Sequence, residues 1–180
     1  KTLVAGVRAV FPDGRLRIRA AIKAKKGSRS EEREISAEML MSNRDGLYSA
    51  LYTLRDTLGE DLEQLAVMRE SGKIPRYTYR CGNPLEESPI PNLFQPVQST
   101  DLTWIDLSMA YLWWPGGETV GTDRIRGRSC YIILLPAPDR AKGIINHTRV
   151  WIDPKINMLL KTEAYNRKNE LTRKMTVESF

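Results

Sequence analysis

One histidine, two cysteines and a few spaced carboxylates are the residues here whose types most invite catalysis or metal binding. His147 sits at a strand start between Asn146 and Thr148, where a partly solvated, loop-end histidine is the simplest reading. With Cys81 and Cys130 far apart and no ligand spacing around them, a zinc site would need carboxylates to complete it, and no metal or cofactor is expected. The same two cysteines read as buried thiols in preference to a disulfide. Asp101 and Asp106 flank Trp104 and could form an acid–base pair, but a helix cap and a solvated helix face explain them better. Glu163 lies in mid-strand beside Lys161 and calls for a cross-strand partner. No glycine-rich phosphate loop or nucleophile elbow is present, and Gly116-Gly117 reads as a helix stop. No catalytic residue is assigned, and the expectation is a protein that is not an enzyme.

Trp104, Trp113 and Trp114 form the densest aromatic cluster, next to a proline-rich stretch. They can plug a core or line an apolar cavity. A lid's inner surface is also a cavity's roof, so the two roles overlap.

The elements that must position these residues are mostly strands. From Arg15 to Lys25 the chain alternates strictly: Leu16, Ile18, Ala20, Ile22 and Ala24 face one way and the cations the other. After a polar turn, Ile35, Ala37, Met39 and Met41 resume the apolar face, with Glu32, Glu34 and Glu38 opposite. Pairing Lys25 with Glu32 sets Lys23 against Glu34, Arg19 against Glu38 and Ile22 against Ile35. It also sets Ala20 against Ala37 and Ile18 against Met39, and a slip of one residue mismatches both faces. Further strands are expected over Tyr48–Asp56, Leu62–Arg69, Arg76–Cys81, Thr119–Ile125, Arg128–Leu135, Thr148–Asp153, Met158–Tyr165 and Leu171–Phe180. Four prolines between Asn83 and Pro96 forbid a helix or a central strand there, and the stretch reads as a loop crossing the sheet. Beyond it Ser99, Thr100 or Asp101 is expected to cap a short helix with Leu102, Ile105, Met109 and Leu112 on one stripe, stopped at Pro115.

The length fits one domain, residues 1–180, with residues 83–117 as a lid insertion. No run reaches the roughly 18–20 apolar residues of a membrane-spanning helix. The start at Lys1 fits a mature chain after removal of a signal segment, or a trimmed one. A net charge of +6 raises nucleic acid as a partner, but the acidic stripe of the second strand answers the basic stripe of the first.

The second half resembles the LolA-like outer-membrane lipoprotein-sorting family. The residues that carry the likeness are Ser99-Thr-Asp-Leu-Thr-Trp-Ile-Asp-Leu107, Leu112-Trp-Trp-Pro115, Arg126-Gly-Arg-Ser-Cys-Tyr131, Val150-Trp-Ile-Asp153 and Leu160-Lys-Thr-Glu-Ala-Tyr165. The resemblance covers about residues 84–180, with 1–83 compatible. It implies an incomplete antiparallel β-barrel, a half-barrel whose concave apolar face is covered by a short helix and loops. It also implies a periplasmic carrier of lipoprotein acyl chains, and closing strands that would follow residue 180.

The expected function is therefore non-covalent binding of an acyl chain, a lipidated protein or another hydrophobic ligand in the cell envelope. The candidate lining is Ile18, Ala20, Ile22, Ile35, Ala37 and Met39 from the hairpin, with Trp104, Leu112, Trp113, Ile132 and Leu134. The alternative is an envelope interaction module that offers an open sheet edge to a partner protein. No specific nucleic acid is expected. Binding to DNA or RNA should be weak, sequence-independent and lost with added salt, which a mobility-shift titration checks; tight binding at physiological salt contradicts the pairing of the stripes.

Overall fold

The structure, a computed structural model, describes residues 3–9, 16–24, 33–44, 47–70, 73–98, 100–141 and 144–177. For 16, 18–24, 33–36, 40, 43, 44 and 140 it describes the backbone alone. The architecture is mainly β, antiparallel throughout and unclosed, with a short helical segment in mid-chain, as the alternation and turn chemistry require. Two compact units divide it: residues 11–108, and residues 109–180 with the first ten.

The first unit holds a six-stranded meander in which each strand pairs with its sequence neighbour. Its strands are β1 (Leu16–Ala24), β2 (Arg33–Arg44), β3 (Leu47–Arg55), β4 (Asp61–Glu70), β5 (Arg76–Cys81) and β6 (Glu86–Ser88). The β1–β2 register is the expected one, with Ile22 opposite Ile35, Lys23 opposite Glu34, Arg19 opposite Glu38 and Ile18 opposite Met39. The closing pair, Lys25 with Glu32, lies outside the described residues, as does the burial of Ile22 and Ile35. The described side chains show how the acidic stripe works: Glu38 bridges Arg17 at 3.2 Å and Arg55 at 2.9 Å.

Strand β6 falls inside the proline-rich stretch, where the sequence reads as a loop. It is an edge strand between Pro84 and Pro89, a place where proline is tolerated because one side of the ladder needs no donor. The expected helix is shorter than its apolar stripe suggested. It spans only Trp104–Leu107, here α2, and its cap is Thr103, not Ser99, Thr100 or Asp101. The reason is a capping box. The Thr103 hydroxyl accepts from the Asp106 amide while the Asp106 carboxylate takes the Thr103 amide at 2.9 Å and hydroxyl at 2.6 Å. Asp106 is thus a buried cap partner and Asp101 an exposed residue. Met109 then turns left-handed (φ 48°), so Leu112 belongs to a separate 3-10 turn, Ala110–Trp113.

The second unit begins with a helix that the sequence reading did not foresee, α1 (Leu3–Ala9), which touches the strand His147–Asp153. Its five strands run in the order β11-β10-β9-β8-β7. They are β7 (Glu118–Ile125), β8 (Arg128–Pro136), β9 (His147–Asp153), β10 (Met158–Tyr165) and β11 (Leu171–Thr176). Ile133, Leu135, Val150 and Ile152 form the buried face. Gly117 sits so close to it that a Cβ there would lie 2.8 Å from the Leu135 side chain.

Leu65 and Met68 are three residues apart on β4, on opposite faces, at 0% and 39% exposure. Leu65→Ala should cost about 2–5 kcal/mol and Met68→Ala under about 1 kcal/mol, read from urea unfolding. Equal costs would mean that the buried face is assigned wrongly.

Candidate ligand-binding face

Register across the six-stranded sheet assembles one face from six separate strands. Ile18 pairs with Met39, Met39 with Tyr52, Tyr52 with Leu65, Leu65 with Tyr79 and Tyr79 with Ser88, a single row from edge to edge. The row beside it begins Ala20, Ala37, Leu54, and the one on the other side holds Met41, Ala50 and Val67. Ala37, Met41, Tyr52, Leu54, Leu65 and Val67 are each 2% exposed or less. Trp104 stands edge-on to Tyr79, ring centroids 6.3 Å apart, so α2 lays its indole at the Tyr79 end of the central row.

Polar groups on this face are paired. The Tyr48 and Tyr52 hydroxyls lie 2.9 Å apart. Arg69 donates to the Tyr77 hydroxyl at 3.2 Å and lies over that ring. Tyr79 donates to Glu63 at 2.7 Å, and Gln98 donates to the other oxygen of the same carboxylate. Burial pushes the Tyr48 hydroxyl up, against the opposing pull of its Tyr52 bond and the Arg69 charge. Burial and then the Glu63 carboxylate push Tyr79 up as well. Both phenols therefore stay neutral at physiological pH, and the middle of the face carries no charge.

The candidate residues divide as follows. The backbone places Ile18, Ala20, Ile22 and Ile35 on this face, where Ala37 is buried, Met39 half-buried and Trp104 buried. Leu112, buried, and Trp113, half-buried, lie in the 3-10 turn. Ile132 and Leu134 belong to the five-stranded sheet. There Ile132 packs on Cys130, Trp151 and Leu160, and cross-strand pairing puts Trp151 and Arg149 on the same side. That side is charged: Lys161 Nζ sits 3.9 Å from the Trp151 ring, whose N–H donates to Asp123 at 2.9 Å. Glu163 meets Lys161 at 2.6 Å on its own strand and accepts from Tyr165 at 2.5 Å, with Arg149 and Lys174 as its cross-strand neighbours. Burial opposes the Glu163 charge, yet those donors hold its carboxyl below the usual range.

Sequence reading missed Tyr52, Leu65 and Tyr79 as the centre of the face. Apolar residues adjoin one another at Leu51-Tyr52 and at Leu65-Ala66-Val67-Met68, which hides the period of two. Both cysteines are free, Cys81 half-buried and Cys130 buried. His147 is the clear correction. It is buried, not solvated: its ring stacks on Tyr165 at 4.8 Å, and its Nδ1 lies 3.2 Å from the Asn146 side-chain nitrogen. Burial, then the nearby Arg149 charge, lowers its pKa. Among the described residues no three metal-ligating side chains gather to hold an ion.

No family model matches this sequence, and no curated protein does. Solved structures do match in fold. A DUF1329 family protein from Desulfovibrio piger superposes with a TM-score of 0.73 at 14% identity, over 98% of this chain and 76% of that one. A provisionally named outer membrane lipoprotein-sorting protein domain from Vibrio parahaemolyticus gives 0.70 at 15%, over 93% and 72%. A LolA superfamily protein from Nitrosomonas europaea gives 0.60 at 13%, over 94% and 72%. The fold of this chain is LolA-like.

His147 supplies a pH test. The unfolded chain binds its proton near the ordinary value of about 6.5, while the folded site resists it. Stability is therefore full above that value, falls as the pH drops through it, and levels off beneath the lowered folded value. Urea midpoints at pH 7.5 and 5.5 should differ in the native chain and converge in His147→Gln. An unchanged pH difference in the variant would assign the effect to other groups.

Proposed function

We propose that this chain binds a hydrophobic moiety non-covalently, an acyl chain or a lipidated protein, as a periplasmic carrier and not as an enzyme. The observation that carries the reading is the row from Ile18 through Met39, Tyr52 and Leu65 to Tyr79. It is an apolar band, uncharged along its length, that crosses the sheet and ends at Tyr79, where Trp104 stands edge-on. The LolA-like fold supports it, and one fold neighbour bears a name in outer membrane lipoprotein sorting. Among the described residues no helix is long and apolar enough to cross a membrane.

Affinity would come from desolvation. Each buried methylene contributes about 0.8 kcal/mol, so a long chain needs few polar contacts. Met39 and Met41, unbranched and polarizable, let the lining follow the shape of the ligand. Within the same unit, the part of the expected lid from 83 to 108 would act as the cover, with Trp104 as its inward-facing part. Ile18, Ala20, Ile22, Ile35 and Ala37 would form the floor on the hairpin side.

Mass spectrometry of protein purified under native conditions should find a co-purifying lipid. Titration with a palmitoylated peptide should change tryptophan fluorescence. Ala37→Asp, in the middle of the floor, should abolish the change, whereas Thr78→Asp, exposed on the other face, should leave it intact. No lipid and a flat titration of the native chain would remove the carrier reading and favour the interaction module with its open sheet edges.

A further inference from the structure

The outer face of the six-stranded sheet, opposite the proposed lipid-binding side and independent of it, is built differently from an ordinary solvated face. Its central strands carry small and apolar side chains in register. Ser42 pairs with Ser49 and Ser49 with Met68, while Leu51 pairs with Ala66. These residues surround an open depression of about 450 Å³. Met68 is 39% exposed within it, a large apolar side chain left to solvent.

On β5 the Met68 row continues to Arg76, the Ala66 row to Thr78, and the neighbouring Gln64 row to Arg80. Both arginines are exposed, and neither is bridged to a carboxylate among the described residues. Arg80 faces Glu87 across β6 without forming a bridge. The other described cations of this face are already answered: Arg17 and Arg55 by Glu38, Arg55 also by Asp61, and Lys73 by Glu70. Among the described side chains the β5 rim therefore carries two unbridged cations, Arg76 and Arg80, beside one unbridged acid, Glu87.

We propose that this face docks an amphipathic helix of a partner protein whose apolar stripe is flanked by acidic residues. Dimensions and charge both favour that occupant. Three neighbouring strands at about 4.8 Å spacing span roughly 10 Å, the diameter of a helix with its side chains. The small Ser42, Ser49 and Ala66 let a helix approach the sheet, and Met68 and Leu51 meet its apolar stripe. Arg76 and Arg80, four residues apart on a strand, stand about 13 Å apart, which matches carboxylates about eight residues apart on a helix.

The probe is a pair of synthetic 18-residue helical peptides with the same Leu/Ala stripe, one flanked by Glu and one by Lys, titrated into isotope-labelled full chain. The Glu peptide should shift the amides of Ser42, Ser49, Leu51, Ala66 and Met68 and bind at least tenfold more tightly than the Lys peptide. The double variant Arg76→Glu with Arg80→Glu should reverse that preference, with circular dichroism confirming its fold. Three results would overturn the proposal: no preference in the native chain, amide shifts confined to other surfaces, or a preference that survives the double variant. Sedimentation with phosphatidylglycerol vesicles that depends on the same arginines, without peptide binding, would also overturn it in favour of a membrane surface.

Discussion

The pairing of Ala20 with Ala37 and Ile18 with Met39 constrains every pairing that follows, because each strand of the meander inherits its pleat from the one before. Side chains alternate with a period of two, so a one-residue slip would carry Ala37, Met39 and Met41 to the solvent side and bring Glu38 inward. Both the apolar face and the charged outer face rest on that one register. Exposed ionic pairs contribute only about 0–1 kcal/mol each, so burial sets the register and Glu38, bridging Arg17 and Arg55, refines it.

An apolar face this broad tolerates polar groups only where each finds a partner. Glu63 is answered by Tyr79 and Gln98, Arg69 by Tyr77, and the Tyr48 and Tyr52 hydroxyls by one another. Leaving such a buried group unpaired costs about 1–3 kcal/mol, more for a charged one. The pairs therefore compensate the polar groups of the face, the Tyr52 and Tyr79 hydroxyls of its central row included. That pairing is what suits the face to the proposed hydrocarbon ligand.

The five-stranded sheet solves a different problem. One of its faces is buried by Ile133, Leu135, Val150 and Ile152, while the other stacks cations on aromatic rings, Lys161 on Trp151 and Arg149 on Tyr165. Such stacking shelters the long side chains and keeps their charge, at an estimated 0.5–2 kcal/mol per contact. Within this frame His147 is enclosed by Tyr165 and Arg149, which explains why its proton is disfavoured. The two sheets share strand chemistry and differ in what their second face carries.

By itself the sequence determined what is local and periodic. The β1–β2 register, the strand positions of β3 to β5 and β7 to β11, and a short helix after the proline-rich stretch were legible, whereas β6 was not, because that stretch reads as loop. Alternation, turn residues and proline act over a few residues and leave marks in order along the chain. Tertiary structure decided the rest. Which of Leu51 and Tyr52 turns inward, or of Ile132 and Ile133, depends on packing, since adjacent apolar residues satisfy either face. That Thr103 caps α2 in place of Ser99, Thr100 or Asp101 depends on where the chain leaves the Pro96–Thr103 bridge. The burial of His147 came from a ring two strands' pairing away in sequence, Tyr165, brought opposite it only when β9 meets β10. Contacts between residues distant in sequence carry no periodic signal, and only the folded chain brings them together.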